Sequence, residues 1–188
     1  MKAFLAMLFR FRLNKTVTWL LPFAFAIGSL IGSSSAPSAT RTTAPKNACT
    51  VTELQQIDFW IGTWLVKDAE GGQVGSSEVS TISDGCAIIE RWSGRDGVTG
   101  TSVTYYDQRD AKWHQDWVGG AGQILHLNGT LFGSAMILTG EHQTGQGPLS
   151  DRVTWTGLPD GTVKQVWEIS TNSGESWKIV FEGLYQRR

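Results

Sequence analysis

The sequence predicts an all-β domain, an antiparallel up-and-down barrel of about ten strands with a short helix at its start. Three observations carry that expectation. The 188 residues include 22 Gly and 9 Trp, and many glycines with many aromatics read as turns plus strands, not as a helix bundle. Past residue 58 no stretch sustains a helical period. Short apolar-rich segments recur there roughly every 10–14 residues, with turn signals between them. The length suits one domain. A 40% hydrophobic fraction excludes a disordered chain, and an 18% charged fraction excludes a coiled coil or a basic nucleic-acid arm.

Residues 1–38 read as an export signal. MKAFLAMLFRFRLNK carries Lys2, Arg10, Arg12 and Lys15 and no acid, the run 17–31 is apolar, and small residues follow. A run of this length is short for a membrane span, which needs about 20 residues, and Pro22 and Gly28 weaken it further as an anchor. Ala36 and Ser38 suit the −3 and −1 positions of a cleavage site. Cys49 is not preceded by a lipobox-like Leu, so no lipoprotein is expected. Residues 39–48 are polar, include Pro45, and read as a flexible lead-in. Losing 1–38 removes four of the 16 basic residues and none of the 17 acidic ones, leaving a formal charge of −5. That balance argues against nucleic acid or an anionic membrane as partner. No membrane span is expected after cleavage, and the expected location is periplasmic or secreted.

The barrel domain is expected over 49–188. Thr50 and Glu53 form a capping-box pattern, so 51–57 reads as a short helix. Strands are expected near 58–67, 74–83, 86–93, 100–107, 112–118, 122–131, 134–141, 150–157, 162–170 and 176–186. The separators include Glu70-Gly-Gly, Asp84-Gly, Asp96-Gly, Asp107-Gln-Arg-Asp110, Gly119-Gly, Asn128-Gly, Asp160-Gly and Asn172-Ser-Gly, several of which supply the positive φ of hairpin turns. Pro148 and Pro159 are expected between strands. Consecutive strands with short connections suit a closed barrel, which removes exposed edges; an open two-sheet sandwich is the alternative. Ser170-Thr-Asn-Ser-Gly-Glu-Ser-Trp177 matches an Asp-box hairpin. A propeller would repeat that motif and the chain has one copy, so it reads as a turn between the last two strands. The two cysteines, Cys49 and Cys86, both lie in the exported part, where an oxidising compartment favours a disulfide over two free thiols. Neither has a His or second Cys at ligand spacing, and no metal is expected.

Gly62-Thr63-Trp64 on the first strand, with a basic residue ending the last, resembles the lipocalin and wider calycin pattern. That resemblance implies that Trp64 closes the barrel floor with Arg187 packed over it. The chain is also similar to uncharacterised bacterial secreted lipocalin-like proteins, a domain family of unknown function. The matching stretches are Phe59-Trp60-Ile-Gly62-Thr-Trp64, Gly85-Cys86-Ala87 through Glu90-Arg91-Trp92, and Trp113-His-Gln115-Asp-Trp117. This likeness covers roughly 49–188 and implies a fold but no activity. Nitrobindin-like haem barrels carry a late axial His. Here the three His are His114, His126 and His142, with none after, so no haem and no other cofactor is expected.

Alternation along a strand puts Trp113, Gln115 and Trp117 on one face and His114 with Asp116 on the other. Gln165 and Trp167 share a face, as do Glu90 and Trp92. Flat aromatic walls with a few Gln and Glu groups suit a small, partly apolar ligand. The expected lining is Glu90, Trp92, Tyr106, Trp113, Gln115, Trp117, Arg152, Gln165 and Trp167; the bland alternative for each Trp is ordinary core. Glu90 and its neighbour Arg91 are expected on opposite faces, and the plainer expectation for Glu90 is a surface ion pair. Turned inward, it becomes a buried carboxylate with a shifted pKa, and Arg152 or Glu168 becomes its partner. No hydrolase elbow, zinc-protease motif or phosphate loop is present. The expected function is binding of a small, partly hydrophobic molecule. The alternatives are a small calycin-type isomerase or hydratase using an inward Glu90–Arg152 pair, and a structural envelope protein. Oligomeric state is not legible in the sequence.

Overall fold

A computed structural model describes Cys49 and residues 51–188; the expected signal, the lead-in and Thr50 of the expected capping box lie outside the described residues. The domain is a closed antiparallel barrel of ten strands. They are β1 (Gly62–Lys67), β2 (Gln73–Ile82), β3 (Ala87–Gly94), β4 (Thr99–Asp107), β5 (Lys112–Gly119), β6 (Ile124–Phe132), β7 (Ala135–Thr144), β8 (Gly147–Gly157), β9 (Val163–Ser170) and β10 (Lys178–Arg187). Each strand pairs with the next in sequence, and β1 pairs with β10 to close the ring. At the closing seam residues 64–67 of β1 pair with residues 184–187 of β10, which removes the free edges there.

Burial alternates along the strands, so one row of each faces the lumen. Trp64 and Val66 on β1, Ser77 and Val79 on β2, Ser102 and Thr104 on β4, and Val153 and Trp155 on β8 are all buried. A 3-10 helix, Thr52–Trp60, packs on one end of the barrel and buries Ile57 and Trp60 in the core. These residues stand three apart, which in a 3-10 helix puts them on one face. The helix therefore runs further than the expected 51–57 and takes 58–60 from the expected first strand. Trp64 fixes where it stops: its Nε1 donates to the Trp60 carbonyl at 2.9 Å. The Cys49–Cys86 disulfide forms at the same end, tying the approach to the helix to the start of β3.

Trp64 and Arg187 face each other across the closing seam, with the guanidinium 4.6 Å from the indole centroid. Gly62 leaves room there: a β-carbon would stand 2.7 Å from Arg187 Nη1 and 3.2 Å from the Trp64 ring, so the guanidinium would have to shift. The stretch Ser170–Trp177 is a turn, as expected, and Ser170 and Asn172 side chains hold its backbone.

Two turn expectations fail. Asn128-Gly129 lies inside β6, and the turn comes later at Gly133. Gly129 serves close strand approach instead, for a β-carbon on it would stand 2.0 Å from the Ile137 carbonyl oxygen. Pro148 lies within β8, at its second residue, because β7 and β8 form a longer hairpin than expected. That end position is one where the ladder tolerates a missing N–H. Among the described residues, no helix is long and apolar enough to cross a membrane.

Candidate functional site

The alternating rows build a polar belt halfway along the lumen. Ile88, Glu90 and Trp92 occupy successive inward positions of β3, and Glu90 is 4% exposed. Ser102 on β4 stands directly opposite Glu90, and its hydroxyl donates to Oε2 at 3.3 Å. Ser77 on β2 donates to Oε1 at 2.8 Å. Gln115 on β5 extends the belt, its Nε2 donating to Thr104 Oγ1 at 2.9 Å and Ser102 Oγ at 3.4 Å. From β10 the Tyr185 hydroxyl donates to Gln165 Oε1 on β9.

Glu90 makes no ion pair with a Lys, Arg or His among the described residues. Burial pushes its carboxyl up to about 7, and the Ser77 and Ser102 hydrogen bonds only partly oppose that rise. The Tyr185 phenol is raised as well, first by burial and then by the nearby Glu90 charge.

The two ends of the lumen differ. At the helix end, Trp60, Trp64, Trp113 and Trp155 are at most 1% exposed. Trp113 donates to Gln56 Oε1 of the helix at 3.0 Å, and Tyr106 meets it edge-on at 5.8 Å. The indole N–H groups of Trp60 and Trp155 are buried with no protein acceptor, and the two rings pack 5.3 Å apart.

At the far end Trp92, Trp117, Trp167 and Phe181 pack on the core but remain partly exposed. Trp92 and Phe181 meet edge-on at 5.9 Å. Glycines let these rings lie against the wall. A β-carbon at Gly75 would stand 2.6 Å from the Trp92 ring, and one at Gly100 would stand 2.1 Å from Trp117. Trp167 Nε1 donates to Asp151 Oδ1 at 2.8 Å, and the other Asp151 oxygen lies 2.9 Å from His142 Nδ1. Asp151 is 1% exposed, so a buried carboxylate orients an imidazole at this end.

Glu90, Trp92, Gln115, Trp117, Gln165 and Trp167 thus share the lumen, as the alternation expects. Trp113 and Tyr106 also face inward but belong to the helix end, packed with the plug. Arg152 does not face the lumen. It points outward from β8, donating to Glu168 Oε2 at 2.7 Å and stacking 4.1 Å over the Trp177 ring. The expected Glu90–Arg152 pair therefore does not form, because one residue of register separates Arg152 from inward Asp151 and Val153. Glu90 and Arg91 do point to opposite faces, as expected, and the surface ion pair expected for Glu90 fails because Glu90 is the inward one of the two.

Ser77, Ser102, Thr104, Asp151, His142, Phe181 and Tyr185 were not singled out from the sequence. Asp151 had a usable signal: it shares parity with the apolar Val153 and Trp155. On the outer face, His114 bonds Asp110 and Asp116 bonds His126. Asp107, Asp110 and His114 bring their polar atoms within 4.8 Å of one another, but Arg109 already holds both oxygens of Asp107.

Comparison with protein-family models and with curated proteins finds no match to this chain.

Proposed function

We propose that this domain is an exported, lipocalin-like carrier of a small, partly hydrophobic molecule, held in the lumen and admitted at the far end. The observation that carries the reading is the contrast in the lumen. One end is sealed by a helix over fully buried tryptophans, while the other presents partly exposed rings above a buried polar belt. Ring faces supply apolar contact, and Glu90, Gln115 and Gln165 orient the ligand. The sequence pattern of residues 1–38 and the Cys49–Cys86 disulfide support export.

Native mass spectrometry tests the reading on protein purified gently from an exporting host. The expected result is an added mass lost on denaturation, reduced in Trp117→Ala with the fold retained. A Trp117→Ala protein that loses thermal stability while holding the same added mass returns Trp117 to the core.

A second reading, an enzyme, rests on a different pair from the one the sequence suggested. The Asp151–His142 contact is the arrangement that fixes an imidazole for proton transfer. Turnover abolished by His142→Gln, with ligand affinity kept, is its signature.

A further inference from the structure

The carrier reading leaves open what kind of molecule the lumen takes, and the surroundings of Glu90 narrow it. Its two hydroxyl partners lie beside the far-end rings in the sheet. Ser77 is paired with Trp92, and Ser102 is paired with Trp117 as well as with Glu90. Trp92 thus stands two residues along β3 from the buried carboxylate on the same face, and Trp117 stands beyond Ser102 on the next strand but one. The groups facing that carboxylate are neutral: Ser77 and Val79 from β2, Ser102 from β4, and Tyr185 from β10. The next charges inside the barrel are Asp151 with His142 at the far end and Arg187 over Trp64 at the helix end. The inward carboxylates Glu90 and Asp151 thus face a lumen whose middle holds no Lys or Arg among the described residues.

Resting on the carrier reading, we propose that the ligand is a basic amine whose ammonium group binds Glu90, with the Trp92 and Trp117 rings of the same inner face beside it. A carboxylate buried without a cation is stabilised in its charged form by a cation brought to it. Indole faces attract the same cation and repel an anion. An alcohol gains only a hydrogen bond there, and a carboxylic acid meets a second acid. Because Glu90 is raised to about 7, it holds its proton at pH 6 in the empty barrel. An arriving ammonium ion keeps its own protons, Glu90 ionises, and one proton passes to solvent. Binding then releases close to one proton at pH 6 and almost none at pH 8.

Isothermal titration calorimetry of the purified protein tests this with three skeletons, each as amine, alcohol and carboxylate: tryptamine, phenethylamine and hexylamine with their counterparts. Each titration is run at pH 6 and pH 8 in two buffers of different ionisation enthalpy, which counts the protons. The expected result is amines bound at least tenfold tighter than their alcohols. Glu90→Gln should shrink that ratio to about twofold and abolish proton release, with weaker amine binding accounting for most of the change. Thermal unfolding confirms that Glu90→Gln folds. Amine preference that survives Glu90→Gln, or that disappears only in Asp151→Asn, overturns the Glu90 site while leaving the carrier reading standing. So does equal binding of amine and alcohol. If none of the nine compounds binds and native mass spectrometry shows no added mass, the carrier reading fails and takes this inference with it.

Discussion

Trp113 and Trp117 stand four residues apart on one face of one strand, yet they have different surroundings. Trp113 is 1% exposed, bonded to Gln56 and pressed by Tyr106 beneath the helix. Trp117 lies on Gly100, partly exposed, beside the Glu90 belt. Height along the barrel separates them, since residue type and face are the same. A tryptophan near the helix end completes a core. One near the far end spreads an apolar face where solvent or a ligand can meet it.

The sharpest test compares the two directly. Trp113→Ala should destabilise by about 3–5 kcal/mol, as for other buried aromatics cut to Ala, whereas Trp117→Ala should cost about half that or less. Urea unfolding measures both, and equal losses erase the distinction between the ends. Next in size is the disulfide, which belongs to the helix end alone. Cys86→Ser should cost about 2–4 kcal/mol, the range for native bridges of this kind. A larger loss of amide protection in the helix than in the far-end hairpins, read by hydrogen exchange, would sharpen the contrast.

The belt between the ends gives a pH signature. Glu90 is raised from 4.5 to about 7, so the folded chain keeps a proton that the unfolded chain has released. This contribution is full below about pH 4.5, falls as pH rises through about 7, and stays lost above it. It amounts to about 3 kcal/mol at most, from the span of that shift. Glu90→Gln should flatten this part of the stability–pH curve and raise stability at pH 8. A curve that keeps its slope in the variant assigns it to another group. The smallest effect is expected at Arg187, exposed over Trp64. Arg187→Ala should lower stability by about 0.5–1 kcal/mol, the usual value of an exposed cation–π contact.

These residues also mark how far the sequence could be read. The strand count follows from turn residues and short apolar runs, which are local signals, and the disulfide from the two cysteines beyond the expected export signal; closure is one of two readings the sequence leaves open, and the β1–β10 pairing decides it. The shared faces of Trp113, Gln115 and Trp117, and of Gln165 and Trp167, follow from the two-residue period. Which face points inward does not, because that choice is made by pairing across the whole sheet. Arg152 is the clearest case. Its neighbour Asp151 takes the inward position that the sequence suggested for the arginine, and the guanidinium finds Glu168 and Trp177 outside. Asn128-Gly129 shows the converse: a dipeptide that ordinarily signals a turn is used where two backbones come close. The His142–Asp151 contact was illegible for a third reason, since it lies diagonally across a hairpin longer than the turn signals suggested.

The β1–β10 seam bears on how the barrel comes together in time. Every other neighbouring pair of strands is joined by a short hairpin and meets early at little entropic expense. The pairing of Trp64 with Arg187 joins the two ends of the domain, so it waits for all ten strands to be available. Without that pairing the ten strands form an open sheet with two free edges, unable to enclose a lumen. That makes the tenth strand the step that turns a surface into a container.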